Sequence, residues 1–182
     1  MKILVLGIGN ILFADEGVGV HIVNYMKEKY QFDSSHTIDL LDGGTLAAHL
    51  IGIIVEYDYL IIVDTVNAPE AKAGEVYFFD FENVPNGINW EGSAHEVEML
   101  QTLSMMDLMG DRPTTKIIGI VPTIIEPIEF SLSDAVHEAV KVAEDTLIEH
   151  LRSLDVHVIV KKEMDIDDIL PVSYKMNHQN NI

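Results

Sequence analysis

Cysteine is absent from this 182-residue chain, and its absence excludes several kinds of chemistry. Without thiols the protein has no disulfides, no thiolate nucleophile, and no cysteine ligands for zinc or iron–sulfur clusters. Any metal that its side chains bind is therefore held without thiolate ligands. A chain without disulfides suits a reducing compartment, so we expect a cytoplasmic protein.

Basic residues are also scarce. The chain has 11 Lys and Arg against 30 Asp and Glu, which gives a formal net charge of −19. Such an acidic surface repels phosphates, which argues against nucleic-acid partners and anionic membrane surfaces. Charged residues interrupt every apolar run before it reaches the roughly 20 residues needed to span a bilayer, so we expect no membrane insertion. A basic or metal-carrying partner fits this charge better.

Three common catalytic signatures are missing. The loop after the first predicted strand begins like a dinucleotide fingerprint, but Leu12 replaces the third glycine. Asp15 and Glu16 would also repel a pyrophosphate at the following helix start. No His-Glu-x-x-His zinc motif and no Gly-x-Ser-x-Gly nucleophile elbow occur in the sequence.

Apolar runs alternate with amphipathic segments, and this pattern predicts alternating strands and helices. Residues 3–7 and 59–63 are apolar throughout, as expected for parallel strands that are covered on both faces. The final predicted helix, 133–151, has an apolar face formed by Val136, Val140, Ala143, Leu147 and Leu151. Further predicted strands are 37–41, 75–81 and 116–121, and further predicted helices are 18–30, 46–56 and one that begins at residue 95.

This alternation favours a three-layer α/β/α sandwich, because right-handed crossovers place helices on both faces of a mainly parallel sheet. The length fits one domain. We assign residues 1–152 to a single α/β domain and residues 153–182 to a C-terminal extension of unknown role, in which 156–160 resembles a strand. We expect the protein to be a monomer.

Two acidic residues lie where ligands bind in sheets of this kind. Ligands occupy the carboxyl edge of a parallel sheet, between strands whose helices leave on opposite faces. Asp64 directly follows the predicted strand 59–63, and Glu16 lies in the loop after the first strand. If the first strand lies between the second and the third, both carboxylates flank one crevice. Either residue alone has a plain structural explanation, such as a carboxylate beside a helix dipole.

His95 lies at the start of another predicted helix. Ser93 and Glu96 have the spacing of a capping box, which places His95 in the first helical turn. The helix dipole there disfavours an imidazolium, so the neutral ring keeps a lone pair for a metal. Together with Glu16 and Asp64 it would leave open positions on a divalent ion such as zinc, nickel, iron or manganese. The three residue types do not choose among these metals.

Two alternatives use the same residues differently. A receiver-like phosphoacceptor signalling domain has an acidic pair after its first strand and an aspartate after its third, as in Asp15, Glu16 and Asp64. It also requires a lysine at the end of the last strand, where this chain has Pro122. A noncatalytic nickel metallochaperone is the second alternative, since it would bind metal through the three proposed ligands without cutting a partner.

Several short motifs occur in a distinctive order along the chain. They are residues 7–12 (Gly-Ile-Gly-Asn-Ile-Leu), 15–19 (Asp-Glu-Gly-Val-Gly), 42–45 (Asp-Gly-Gly-Thr), 63–64 (Val-Asp), 93–95 (Ser-Ala-His), 119–122 (Gly-Ile-Val-Pro) and 132–133 (Leu-Ser). In this order they closely resemble the nickel-iron hydrogenase maturation endopeptidases, and the resemblance covers roughly residues 1–151. It implies a five-stranded sheet in which the strand at 75–81 is antiparallel to the rest.

The resemblance implies an aspartic-type endopeptidase that removes a C-terminal extension from the nickel-iron hydrogenase large-subunit precursor after nickel insertion. It also implies that Glu16, Asp64 and His95 are metal ligands at the catalytic site. They either recognise nickel carried by the substrate, which we favour, or hold a metal that activates water. In the second case Asp15 or Asp42 is available as a base. Zinc or cadmium is expected to bind the same three ligands.

The motif Asp42, Gly43, Gly44 and Thr45 is a candidate substrate contact. Its glycines allow positive φ angles and the close approach of a partner backbone. The motif is expected to contact the substrate whether the metal is recognised on the substrate or activates water.

Overall fold

The computed structural model describes residues 1–45, 47–88, 94–123 and 131–170, and of residues 94–96 it describes only the backbone. In chain order the elements are β1 (Lys2–Ile8), α1 (Val18–Lys29), β2 (Tyr30–Asp33), β3 (Thr37–Gly44), α2 (Ile51–Ile54), β4 (Tyr59–Thr65), β5 (Val76–Asp80), α3 (Ala94–Met109), β6 (Thr114–Ile120), α4 (Asp134–Ser153) and β7 (His157–Val160). Short 3-10 turns occur at Ala14–Gly17, Ala47–Leu50, Phe81–Asn83 and Ile166–Asp168. Within the described ranges no helix is long and apolar enough to cross a membrane.

Five strands form one sheet in the order β3-β1-β4-β6-β5. The pairs β3–β1, β1–β4 and β4–β6 are parallel, and β5 is antiparallel to β6. Every residue of β4 is buried, and in β1 only Lys2 is exposed. Apart from Lys2, Asp64 and Thr65, these two strands are apolar, as expected for strands whose two faces are covered by helices. The predicted α/β/α sandwich with one antiparallel strand is therefore confirmed.

The sheet divides the hydrophobic core into two layers. Ile3 and Val5 face the layer that contains α1 and α4, whereas Leu4 and Leu6 face the layer that contains α2 and α3. Successive side chains of a strand point to opposite faces, which explains this division. The predicted apolar face of α4 is wholly buried in the first layer: Val136, Val140, Ala143, Leu147 and Leu151.

Two predicted helices differ from the structure. The helix predicted at 46–56 is replaced by a 3-10 turn and the four-residue α2, because Gly52 and its β-branched neighbours have low helix propensity. The helix predicted at 18–30 ends at Lys29, and Tyr30 begins the unpredicted strand β2.

A buried carboxylate accounts for part of this change. Glu144 of α4 is 2% exposed and accepts hydrogen bonds from Tyr30 Oη at 2.5 Å, Lys29 Nζ at 2.8 Å and Tyr25 Oη at 3.2 Å. Burial alone would raise the pKa of Glu144, but the hydrogen bonds from Lys29 and Tyr30 outweigh it and lower the pKa. The network joins the end of α1 and the start of β2 to α4.

Part of the predicted C-terminal extension packs against the domain. The strand-like pattern at 156–160 corresponds to β7, which pairs antiparallel with β2. Farther along, Ile166 and Leu170 are buried in the core layer of α1 and α4. Residues 171–182 lie outside the described residues, and the division at residue 152 stays a prediction.

Candidate functional site

The loop from β1 to α1 holds two buried acidic residues. After β1 the chain bends at Gly9, whose φ of +138° is a conformation that side-chain-bearing residues rarely adopt. A Cβ atom at this position would lie 1.9 Å from the carbonyl oxygen of Glu16. The backbone of Glu16, in the 3-10 turn Ala14–Gly17, is therefore packed directly on Gly9. Asp15 and Glu16 are 0% and 5% exposed.

The first turn of α1 contacts the carboxyl ends of two neighbouring strands. A Cβ atom at Gly19 would lie 2.2 Å from the carbonyl oxygen of Val63 in β4 and 2.4 Å from that of Ile8 in β1. A side chain at Gly19 would push the helix away from both strands. Because the start of α1 packs against the ends of β1 and β4, the turn that carries Glu16 also contacts β4, the strand that contains Asp64.

Asp64 lies within β4, paired with Gly119 of β6, rather than just after the strand as predicted. The strand is longer because its pairing with β6 continues through Thr65. The Asp64 side chain is 1% exposed, and its Oδ1 accepts a 2.8 Å hydrogen bond from the N–H of Thr65. β1 lies between β3 and β4, which is the strand order predicted to place both carboxylates beside one crevice. Glu16 and Asp64 therefore lie at the same edge of the sheet.

His95 is the second residue of α3, in the first helical turn. Its side chain and the predicted cap Ser93 lie outside the described residues. The structure thus places two of the three predicted ligands at one edge of the sheet, and both their metal binding and the position of the imidazole stay predictions.

Asp15 has a structural task that the sequence did not indicate. Its Oδ2 accepts hydrogen bonds of 2.8 Å from the N–H of Thr123 and from Ser133 Oγ, and its Oδ1 accepts one of 2.7 Å from the N–H of Ser133. Ser133 is also the N-cap of α4. Asp15 therefore joins the β1–α1 loop to the end of β6 and the start of α4. A carboxylate engaged by three donors does not fit the role of a free base.

The motif at the end of β3 lies beside the same loop. Gly44 has a φ of +56°, in agreement with the predicted need for glycine, and its carbonyl oxygen accepts a 3.0 Å hydrogen bond from the N–H of Gly9. Asp42 accepts hydrogen bonds from the N–H of Gly44 at 3.0 Å and from Asn24 Nδ2 at 3.2 Å. The hydrogen bond between Gly9 and Gly44 holds the end of β3 against the loop that carries Glu16, and the one from Asn24 holds it against α1.

A groove of about 300 Å³ runs between the β1–α1 loop and the end of β3. Its lining residues are Gly9, Asn10, Ile11, Leu12, Val20, Asp42, Gly44 and Thr45. Ile11 and Leu12 are large apolar residues, yet they are 39% and 47% exposed at its rim. The groove therefore combines exposed apolar side chains with a carboxylate and glycine backbone, which suits a peptide segment.

His21 is a buried histidine that sequence reasoning missed. It is 3% exposed, and in the described part of the chain its Nε2 has no hydrogen-bond partner. Burial lowers the pKa of His21 to about 4, although Asp42 opposes the shift. Nε2 lies beneath the turn that carries Glu16, 3.2 Å from where a Cβ atom of Gly17 would be. A single histidine inside a predicted helix gives no signal that could have identified it.

One group of three possible metal ligands is found among the described residues, and it lies elsewhere. His137 of α4, Asp165 and Asp167 have donor atoms within 4.8 Å of one another. His137 Nε2 is 3.2 Å from Asp167 Oδ1, and Asp165 caps the turn Ile166–Asp168. The contact between His137 and Asp167 and the capping of a 3-10 turn by Asp165 explain this group, and it contains none of the predicted ligands.

Known proteins resemble this chain over most of its length. The family model described as hydrogenase maturation protease (HycI) matches residues 20–150. HydD of Wolinella succinogenes is 50% identical over 157 residues, which cover 86% of this chain and 99% of HydD. The hydrogenase 2 maturation protease of Escherichia coli is 31% identical over 163 residues, which cover 89% of this chain and 98% of that protein.

Solved structures show the same likeness. The hydrogenase maturating endopeptidase HybD from Escherichia coli matches with a TM-score of 0.78 and 31% identity, covering 88% of this chain and 98% of HybD. The [NiFe] hydrogenase maturation protease HybD from Thermococcus kodakarensis matches with a TM-score of 0.65 and 27% identity, covering 82% of this chain and 99% of that protein.

Proposed function

The chain belongs to the hydrogenase maturation proteases, and on this premise we propose that it removes the C-terminal extension of a nickel-iron hydrogenase large-subunit precursor after nickel insertion. Membership makes the protein an endopeptidase of hydrogenase maturation. The observation that carries the finer proposal is the placement of two buried carboxylates, Glu16 and Asp64, at one edge of the sheet. We propose that these two residues and His95 bind nickel that the substrate brings.

The proposed donor set suits a metal that already has ligands of its own. Two carboxylates and one imidazole leave open positions on a divalent ion. The chain has no cysteine, so thiolates reach this site only from the substrate. Glu16 and Asp64 are almost inaccessible to water, and attraction between a carboxylate and a cation strengthens as the surroundings become less polar. A precursor that carries nickel is therefore expected to bind better than one that does not.

In this proposal the metal site positions the peptide bond. Glu16 is fixed by the packing of its backbone on Gly9, and Asp64 by its place in β4. Ligands held this firmly would place the substrate's nickel, and the peptide bond just beyond it, in one orientation. The segment that follows the bond would lie in the groove beside Asp42, Gly44 and Thr45. The rigid support of the two carboxylates is the contribution of the fold.

The alternative role, in which these residues hold a metal that activates water, predicts a different dependence on nickel. An enzyme with its own metal would cut nickel-loaded and nickel-free precursors alike. An enzyme that binds the nickel carried by its substrate would cut only the nickel-loaded precursor. The signalling and metallochaperone alternatives are not retained, because the family consists of peptidases. A cytoplasmic location, a monomeric state and the aspartic-type classification stay predictions.

The test is cleavage of purified precursor, with and without nickel, followed by intact mass. We expect wild-type protein to cut only the loaded form, and Glu16→Gln, Asp64→Asn and His95→Ala each to cut neither. His157→Ala, in the exposed first residue of β7, is the matched control and should cut normally. Equal cleavage of the nickel-free precursor would exclude the recognition role, and full activity in all three site variants would exclude the site.

A further inference from the structure

The outer edge of β3 has no strand beside it among the described residues. The N–H of Thr37 donates to the carbonyl oxygen of Met1, so Thr37 faces β1. In a parallel pair, every second residue of a strand makes its backbone hydrogen bonds to the neighbouring strand. Asp39 and Leu41 therefore also face β1, whereas Ile38 and Leu40 direct their backbone N–H and C=O groups away from the sheet. These outward groups form a template for one more strand.

The edge carries an acidic side chain on each face. Asp39 accepts a 2.9 Å hydrogen bond from the hydroxyl of Tyr57, on the side of α2. Asp42 accepts its hydrogen bond from Asn24, on the side of α1. Both aspartates are exposed. Side chains of an added strand also alternate between the two faces, so basic residues on either face would meet a carboxylate.

The same edge leads into the proposed active site. β3 ends at Gly44, which lines the groove. Its carbonyl oxygen accepts a hydrogen bond from the N–H of Gly9, in the loop that carries Glu16. A peptide that runs along β3 would enter the groove at Asp42. The other edge of the sheet, at β5, is separated from β4 by β6 and does not lead to Glu16.

We propose that the outer edge of β3 binds the C-terminal extension of the precursor as an added β-strand, through the backbone of Ile38 and Leu40. This inference rests on the proposed function and names the docking surface of the same site. The occupant is a basic, extended peptide segment, because a protein with a net charge of −19 attracts cationic peptides. A second copy of this chain is disfavoured as the occupant by the same charge, which repels it.

Amide exchange measured by NMR tests the surface directly. The full-length protein is mixed with a synthetic peptide that corresponds to the precursor's C-terminal extension and lacks the cleavage site. We expect a millimolar concentration of peptide to slow exchange of the Ile38 and Leu40 amides by about tenfold or more. The amides of Asp39 and Leu41 should change little, because they already bond to β1.

Other outcomes of this experiment would overturn the proposal. Unchanged exchange at Ile38 and Leu40 would show that the peptide does not pair with the edge. Slow exchange at both amides in the free protein would show that the edge is already covered. Equal slowing at all four amides would show general stabilisation rather than strand addition.

Peptide variants give a second test that leaves the protein unaltered. N-methylation removes one backbone donor from the peptide, so methylation at every second position should weaken binding by about 2- to 13-fold per lost hydrogen bond, while methylation at the intervening positions should not. Loss of affinity without a two-residue period would contradict strand addition.

Protein variants test the charge of the edge. Asp39→Asn should weaken peptide binding and reduce its dependence on salt, whereas Asp111→Asn, at an exposed residue after α3, should do neither. Equal effects of the two substitutions would contradict a role of Asp39 in docking.

Cleavage of the nickel-loaded precursor is measured in parallel, so that the two proposals fail separately. If the precursor is cut but the Ile38 and Leu40 amides are unprotected, the docking surface is wrong and the function stands. If these amides are protected but the precursor is not cut, the function is wrong.

Discussion

Replacing Gly19 by alanine tests the geometric basis of the site with one methyl group. The added Cβ atom would lie 2.2 Å from the carbonyl oxygen of Val63, about 1.2 Å inside the 3.4 Å at which ordinary contact begins. It would also lie 2.4 Å from the carbonyl oxygen of Ile8, so the start of α1 must move away from both strands. Glu16, one turn earlier, would move with it relative to Asp64. A displacement of about 1 Å at a catalytic site can reduce the rate about 100-fold.

Two opposing terms set the stability of this variant. Alanine favours a helix over glycine by about 1 kcal/mol, whereas overpacking costs about 1–3 kcal/mol. The net loss is therefore about 0–2 kcal/mol, a fall in melting temperature of at most about 8 °C for a protein of this size. Gly19→Ala should remain folded while it loses activity.

Gly52→Ala is the matched control, because a Cβ atom at Gly52 has nothing within 4 Å. This variant should gain up to about 1 kcal/mol in free energy of unfolding and keep full activity. The assays are kcat/KM for cleavage of nickel-loaded precursor and thermal unfolding followed by circular dichroism. Activity of a folded Gly19→Ala protein within twofold of wild type would refute the argument that the seating of α1 positions Glu16.

Three further predictions concern stability and its dependence on pH. Asp15→Asn leaves at least one backbone or hydroxyl donor without its acceptor and should cost about 1–3 kcal/mol in urea unfolding; an unchanged midpoint would contradict the joining role. Glu144→Gln leaves the cation of Lys29 without its counter-charge and should cost about 2–3 kcal/mol, less than a fully buried pair would, because Lys29 is partly exposed. Since the pKa of Glu144 is lowered by folding, its contribution is present above pH 4.5 and is lost below it, so the variant should lose less stability on acidification than wild type. Folding lowers the pKa of His21 from 6.5 to about 4, so the free energy of unfolding of the wild type should fall by about 3 kcal/mol as the pH falls between these values. His21→Leu should show a weaker dependence of stability on pH. Equal pH dependence of the two proteins would exclude His21 as the cause.

Periodic apolar patterns predicted most of the sheet and the longest helix. β1 and β4 were predicted from the apolar segments 3–7 and 59–63, because a strand covered on both faces is mostly apolar. The buried face of α4 was predicted because spacings of three and four residues place side chains on one side of a helix. The helix length predicted at 46–56 was wrong, because the prediction followed the apolar periodicity and gave too little weight to the poor helix propensity of Gly52 and its neighbours.

The candidate site was predictable in outline. Glu16 and Asp64 were assigned to one crevice from the rule that ligands bind at the carboxyl edge of a parallel sheet, and the strand order agrees with that rule. The anchoring role of Asp15 and the burial of His21 were not predictable. The partners of Asp15 are more than 100 residues away in the sequence, and no local pattern marks a single histidine of a helix as buried.

The sequence alone determined the order of the five strands of the main sheet and of the longer helices, the acidic charge, the lack of thiol chemistry, and the family motifs. Local periodicity and residue type are sufficient for these properties. Only the tertiary structure decided that Gly19 seats α1 on two strands, that Asp15 joins the site loop to α4, and that β2 pairs with β7. Each of these depends on atoms brought within a few ångströms by the packing of segments far apart in the chain, and such packing is a property of the whole fold.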